Sequence, residues 1–101
     1  MDHLVLAITA RNADAILDGR RRHEHRTRPP KRLPALAHLA VTGTAAVVGE
    51  CELGEPVRRS AKGWALPLSN PRRYRAPRPV ADYGLAKIPR SFSYCDPPEA
   101  A

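Results

Sequence analysis

The sequence predicts a mixed α/β domain, mainly β, in which five to six short strands close into a small barrel with one or two short helices beside them. Three observations carry that prediction. The apolar residues fall in short continuous or alternating runs, turn signals recur every ~8–12 residues, and no strand–helix–strand rhythm is present. With 101 residues the chain makes one domain, placed at 1–95, with a loose tail at 96–101.

His3 to Ile8 is a continuous apolar run, too short for a helix and suited to a central strand buried on both faces. Thr9 stands where an N-cap belongs. Ala13, Ile16 and Leu17 then follow at helical spacing, and Gly19 waits at the position after the helix end. Arg20 to Arg26 reads as a polar strand, because Pro29 and Pro30 forbid a helix from continuing. Strand parity puts Arg20, Arg22, Glu24 and Arg26 on one face and Arg21, His23 and His25 on the other. Arg21 can join Glu24 and Arg26 only from a turn or a bulge.

After a stiff connector, Leu36 to Val41 and Ala45 to Leu53 form a hairpin about Thr42-Gly43-Thr44. Val47, Gly49, Cys51 and Leu53 face inward, with Gly49 marking a close approach or a bulge. Val57 to Lys62 reads as a basic loop. Gly63 to Leu68 is a short strand whose Pro67 argues for an edge, and Ser69-Asn70-Pro71 is a turn. Trp64 is assigned to the core. Arg72 to Pro79 is a second basic stretch enclosing Tyr74, a helical turn follows at Val80 to Leu85, and Arg90 to Tyr94 alternates as a closing strand against the first.

Lys and Arg number 17 against 10 acids, a net charge of +7. The cations are clustered, which favours a polyanionic partner. Two cysteines, Cys51 in a strand and Cys95 near the end, do not make a disulfide framework and read as free thiols of a reducing, cytoplasmic compartment. No basic leader and no apolar span of ~20 residues appears, so no membrane partner is expected. His23-x-His25 has the spacing of two metal ligands on one strand face, with Cys51, Cys95 or His38 as conceivable completions. Nothing groups them, and neither a metal nor a cofactor is assigned.

Gly19 opens the stretch Gly-Arg-Arg-Arg-His-Glu-His-Arg. A lone glutamate among arginines pairs with one and leaves other guanidinium groups to hold an anion. This segment resembles the Gly-x-Lys-x-x-Glu-x-Arg signature of ASCH domains, which belong to the PUA-like barrels. The buried first strand and short helix, the Arg-Pro-Pro-Lys-Arg-Leu-Pro connector, the Val-Val-Gly-Glu strand, the Ser-Asn-Pro-Arg-Arg-Tyr segment and the Pro-Arg-Ser-Phe-Ser-Tyr ending extend the resemblance over nearly the whole chain.

The resemblance implies an electropositive cleft for RNA or a modified nucleobase. By position Gly19, Glu24 and Arg26 match, whereas Arg21 replaces the lysine. One branch of the family is an amidohydrolase on N4-acetylated cytidine that uses a lysine and a threonine where this chain has Arg21 and Glu24. An arginine stays protonated and no threonine nucleophile is present, so that chemistry lacks its residues. A ribonuclease activity is also associated with the family, and His23, His25, Ser91 and Tyr94 carry acid and base groups.

The expected function is therefore binding of RNA or a nucleotide by a monomer or weak homodimer. Arg21, Glu24 and Arg26 line the site, Lys31, Arg72, Arg73 and Ser91 flank it, and Tyr74 offers a face for a base. The alternatives are a hydrolase on RNA or a modified nucleoside, with Glu24 and His23 as catalytic candidates, and a protein-interaction module for an acidic partner.

Overall fold

The computed structural model describes residues 1–98. The last three positions of the expected tail lie outside the described residues. Seven strands form one curled sheet, a half-barrel: β1 (Asp2–Ile8), β2 (His23–Arg26), β3 (Ala35–Val41), β4 (Ala46–Leu53), β5 (Arg58–Ser60), β6 (Gly63–Pro79) and β7 (Phe92–Cys95). The order across the sheet is β2-β6-β4-β3-β1-β7, with β5 paired to β6 outside that path. The helix α1 spans Ala10–Leu17, and a single 3-10 turn covers Val80–Tyr83.

The apolar run of β1 is interior, as expected, parallel to β3 and antiparallel to β7. Thr9 caps α1 by accepting a hydrogen bond from the Asn12 amide, and Gly19 ends the segment at φ 78°, a left-handed conformation that costs glycine little. Leu4, Leu6 and Ile8 from β1 pack with Ala13 and Ile16 of α1 and with Leu39, Cys51, Leu53 and Leu66 to make the main core. Both cysteines are unpaired. Burial pushes the Cys51 thiol up to about 12, with Glu24, Glu50 and Glu52 adding to the shift.

Gly49 carries the close approach its position suggests. A Cβ there would lie 2.7 Å from the Arg72 carbonyl oxygen and 2.7 Å from Leu17 Cδ2. The missing side chain is the socket into which the last turn of α1 seats. Just before it, Val48 is bulged, since Leu39 pairs with Gly49 while Ala40 pairs with Val47. The bulge reverses parity along β4. Cys51 and Leu53 face the helix, whereas Val47 faces the opposite side with Val5, Ala40, Tyr74 and Tyr83.

Four expectations need correction around β6. The basic loop at Val57 to Lys62 contains a strand, β5. The predicted turn at Ser69-Asn70-Pro71 is a bulge inside a continuous strand: Ser69 pairs with Glu52 and Arg72 with Glu50, and Asn70 takes up the extra residue at φ 51°. Turn chemistry marked a kink, because both flanks still find partners. Pro67 accordingly lies within β6, opposite His23 of β2, and its carbonyl accepts from the Gly54 amide. Trp64 is half-buried rather than a core plug, with the Arg59 guanidinium 5.5 Å from its ring centroid.

The second face holds a buried polar chain. His3 Nδ1 lies 2.9 Å from His38 Nε2, His38 Nδ1 lies 2.9 Å from the Tyr74 hydroxyl, and Tyr74 donates to Glu50 Oε1 at 2.9 Å. Glu50 is held below the usual carboxylate range: burial raises it, but hydrogen bonds from Tyr74 and Arg72 outweigh that. A carboxylate only accepts, so Tyr74 spends its proton there, His38 donates from Nδ1, and His38 Nε2 accepts from His3. Burial, His3, Arg78 and Arg72 together lower His38 from 6.5 to about 4 against the opposing pull of Glu50.

Two outcomes follow from this packing. Gly49→Val should lower stability by about 1–3 kcal/mol in urea unfolding, through overpacking against Leu17 and the Arg72 backbone. The unfolded chain binds a proton at His38 between pH 6.5 and about 4 that the folded chain refuses, so stability falls as pH drops through that window. The loss should approach about 3 kcal/mol, and in His38→Gln the slope of stability against pH over the same range should flatten.

Candidate functional site

The site begins where α1 ends. Gly19 turns the chain, and the amides of Arg20 and Arg21 both donate to the Ala15 carbonyl, holding Arg21 in a turn ahead of β2. From there Arg21 reaches Glu24, as its parity required. Glu24 is 4% exposed and faces inward opposite Leu66 of β6. Arg21 donates to its Oε1 at 2.9 Å, and Arg26 donates from Nε to its Oε2 at 2.9 Å.

Arg26 does more than pair with Glu24. Its Nη1 donates to Ser91 Oγ at 3.0 Å and its Nη2 to the Ala7 carbonyl at 2.9 Å. β2 lies at one end of the sheet order, while Ala7 belongs to β1 and Ser91 directly precedes β7 at the other end. One side chain therefore closes the seam of the half-barrel. Arg21 is less committed. Its Nε is sealed from solvent and has no hydrogen-bond partner among the described residues. Arg21 also lines a cavity of about 290 Å³ together with Gly19, Arg22, Cys51, Leu68 and Ser69.

A larger cavity, about 960 Å³, opens on the outer side of Arg26. His25, Arg26 and Arg28 contribute from β2 and its continuation, Lys31 and Arg32 from the connector, and Ser91, Phe92 and Tyr94 from the closing strand. Tyr94 organises this wall. Its hydroxyl accepts from the Arg32 amide at 2.7 Å and donates to the Arg32 carbonyl at 3.0 Å. The Arg32 guanidinium stacks 3.8 Å from the Tyr94 ring centroid, and Phe92 meets that ring edge-on. Arg28 and Lys31 are exposed and pair with no carboxylate among the described residues, whereas Arg32 reaches Asp2 at 3.4 Å.

The structure thus brings together Arg21, Glu24 and Arg26, and sets Lys31 and Ser91 on the same cavity as Arg26. It does not bring the second basic stretch to that cavity. Arg72 turns to Glu50 at 3.0 Å on the opposite face, and Arg73 bridges Asp14 and Asp18 of the helix end, each at 3.2 Å. Tyr74 is buried among His38, Glu50 and Tyr83, so its ring presents no face to a base. The physical reason is that carboxylates spaced along α1 and β4 neutralise those arginines where β6 passes them. His23 points away from the interior and is absent from the lining of the large cavity, which His25 joins. Residues missed by sequence reasoning are Arg28, Arg32 and Phe92, and Tyr94 was considered there only as an acid or base group. The signal for Arg28 and Arg32 was present, since both flank Lys31 in one proline-stiffened connector.

A curled sheet with a short helix against its main core makes a small, mainly β half-barrel, with a buried Glu–Arg pair beside a basic cavity. The chain has the ASCH fold. The crystal structure of ASCH from Zymomonas mobilis superposes with a TM-score of 0.76 at 17% identity, covering 94% of this chain and 88% of the other. Two single-substitution variants of that protein align equally well, with TM-scores of 0.75 and 0.76 at 16% and 18% identity, over 94% and 95% of this chain and 89% and 91% of theirs. No protein-family model matches the sequence, and no curated protein does.

Glu24→Ala should cost about 3 kcal/mol in chemical denaturation, because it strands the largely enclosed Arg26 guanidinium, removes the partner of the half-exposed Arg21 and slackens the seam. Arg21→Ala, which removes a half-exposed partner and leaves Arg26 on Glu24, should cost about 1 kcal/mol in the same measurement.

Proposed function

We propose that this protein binds RNA or a nucleotide within it in the cavity between β2, the connector and the closing strand. The observation that supports this reading most is the composition of that wall: Arg28 and Lys31 without carboxylate partners among the described residues, beside an Arg32–Tyr94 stack and Phe92. Unpaired cations attract phosphate, and the flat aromatic and guanidinium faces accept a base. Arg26 and Glu24 act from behind as positioning residues, because their hydrogen-bonding capacity is taken up by each other, Arg21, Ser91 and Ala7. Compared with the sequence-based expectation, the phosphate-binding role stays with Lys31 and moves from Arg72 and Arg73 to Arg28 and Arg32, and the base moves from Tyr74 to Phe92 and Tyr94.

A second reading, hydrolysis of RNA, draws on one observation: His25, Ser91 and Tyr94 share the cavity wall, so acid and base groups stand where a phosphodiester would lie. Glu24 is enclosed by Arg21 and Arg26 and does not line that cavity. Two free thiols, one of them deeply buried, suit a reducing compartment such as the cytoplasm. No helix among the described residues is long and apolar enough to cross a membrane.

Fluorescence anisotropy with a labelled short oligoribonucleotide tests the binding reading. Lys31→Glu with Arg28→Glu should weaken binding at least ten-fold and make the log–log salt slope shallower by about 0.7 for each phosphate that is no longer neutralised, while Arg72→Glu should leave both unchanged. Equal weakening in the two proteins, or in neither, would overturn the cavity assignment. Product formation from the same oligonucleotide that disappears in His25→Ala would favour the hydrolytic reading.

A further inference from the structure

The register of three adjacent strands lines up a row of side chains that the cavity does not absorb. Arg26 of β2 pairs with Trp64 of β6, and Trp64 pairs with Arg59 of β5. Residues directly opposite one another in antiparallel strands project from the same face of the sheet. The face that carries Arg26 into the cavity wall therefore continues outward through Trp64 to Arg59, over about 10 Å at the usual strand spacing. Along this row the burial falls in order: Arg26 is largely enclosed, Trp64 is half-buried, and Arg59 is exposed on an edge strand whose three residues are all exposed.

The position of this row relative to the cavity is held by backbone. Gly63 adopts φ 106°, and a Cβ on it would lie 2.7 Å from the Arg26 carbonyl oxygen and 3.0 Å from the Thr27 amide nitrogen. The β5–β6 turn is thus pressed against the very peptide that forms one wall of the cavity, and only glycine fits there. The turn adds charge as well. Arg58, Arg59 and Lys62 are exposed, and none of them pairs with a carboxylate among the described residues.

A half-buried tryptophan beside a loosely held arginine, in register with Arg26 of the cavity wall and next to the glycine packed on that wall's backbone, has the chemistry of a stacking platform. Building on the nucleotide-binding reading of the cavity, we infer that Trp64 and Arg59 form a second base-and-phosphate subsite, over which a single strand leaves the cavity across the β5–β6 edge. A base stacks on the indole and the adjoining phosphate is held by Arg59, with Lys62 next along the path. The partner is single-stranded, because a duplex keeps its base faces stacked inside and offers none to an indole. Arg59 now occupies the ring at 5.5 Å from its centroid, a separation loose enough for the guanidinium to swing aside or to sandwich the incoming base.

Trp64 is the chain's one tryptophan, so its emission reports the contact directly. The experiment titrates the full chain with uridine monophosphate and with an oligouridylate of about ten nucleotides, a length within the usual single-strand site sizes. The oligonucleotide should quench Trp64 emission and the mononucleotide should not. Arg59→Glu, an exposed change that leaves the fold intact, should weaken the oligonucleotide at least ten-fold and leave the mononucleotide unaffected. Lys31→Glu should weaken both. If the oligonucleotide binds through Lys31 but neither quenches Trp64 nor responds to Arg59→Glu, the platform is wrong and the cavity reading stands. If Lys31→Glu affects neither ligand, or neither binds, the cavity reading fails and the platform falls with it.

Discussion

A single buried carboxylate organises the β2 side of this molecule. Glu24 sits inside a small barrel, where an isolated charge would be strongly disfavoured, and it persists because two arginines enclose it. Arg26 then turns that local pairing into a global one by reaching the Ala7 carbonyl and the Ser91 hydroxyl across the open edge of the sheet. Without the glutamate, the guanidinium that bridges the seam would lose the partner that fixes its plane. The cavity beyond it would lose the wall against which Ser91 and Phe92 are placed. Ion pairing here contributes geometry at least as much as stability.

Charge on this protein is sorted rather than merely abundant. Where β6 crosses α1 and β4, Arg72 and Arg73 meet Glu50, Asp14 and Asp18 and are neutralised, while Arg75 and Arg78 of the same strand pair with no carboxylate among the described residues. Around the connector and the β5–β6 edge, Arg28, Lys31, Arg58, Arg59 and Lys62 meet no carboxylate among the described residues. Net charge alone therefore overstates what a polyanion would encounter on one side and understates it on the other. The same sorting separates two kinds of polar interior: a cavity open to ligands beside β2, and on the far side a closed relay from His3 to Glu50 in which the described nitrogen and oxygen atoms are matched.

Local signals in the sequence were sufficient for the elements whose causes are local. The apolar run of β1, the Thr9 cap and the Gly19 stop each arise from a few neighbouring residues, and each is present; the close approach marked by Gly49 is present too, although Leu17 and Arg72, which make it, are distant in sequence. The Glu24 pairing was legible too, since parity allowed Arg21 only from a turn. What escaped were consequences of long-range pairing. Ser69-Asn70-Pro71 has the chemistry of a turn, yet β4 holds partners on both sides of it and converts it to a bulge. Tyr74 and Arg73 look solvent-facing in a basic stretch until His38 and the α1 carboxylates, distant in sequence, claim them. Trp64 lies at the rim because its strand neighbours there are Arg26 and Arg59 rather than apolar residues.

The length of β6 has a mechanical consequence. Its 17 residues pair with β5 and β2 in the first half and with β4 in the second, so the flank formed by β2 and β5 and the hydrophobic core share one uninterrupted backbone. Such a shared spine couples the melting of the two flanks into one cooperative event. A dissection through it yields no self-sufficient fragment, and new chain ends are better tolerated in the connecting loops than anywhere along this ribbon.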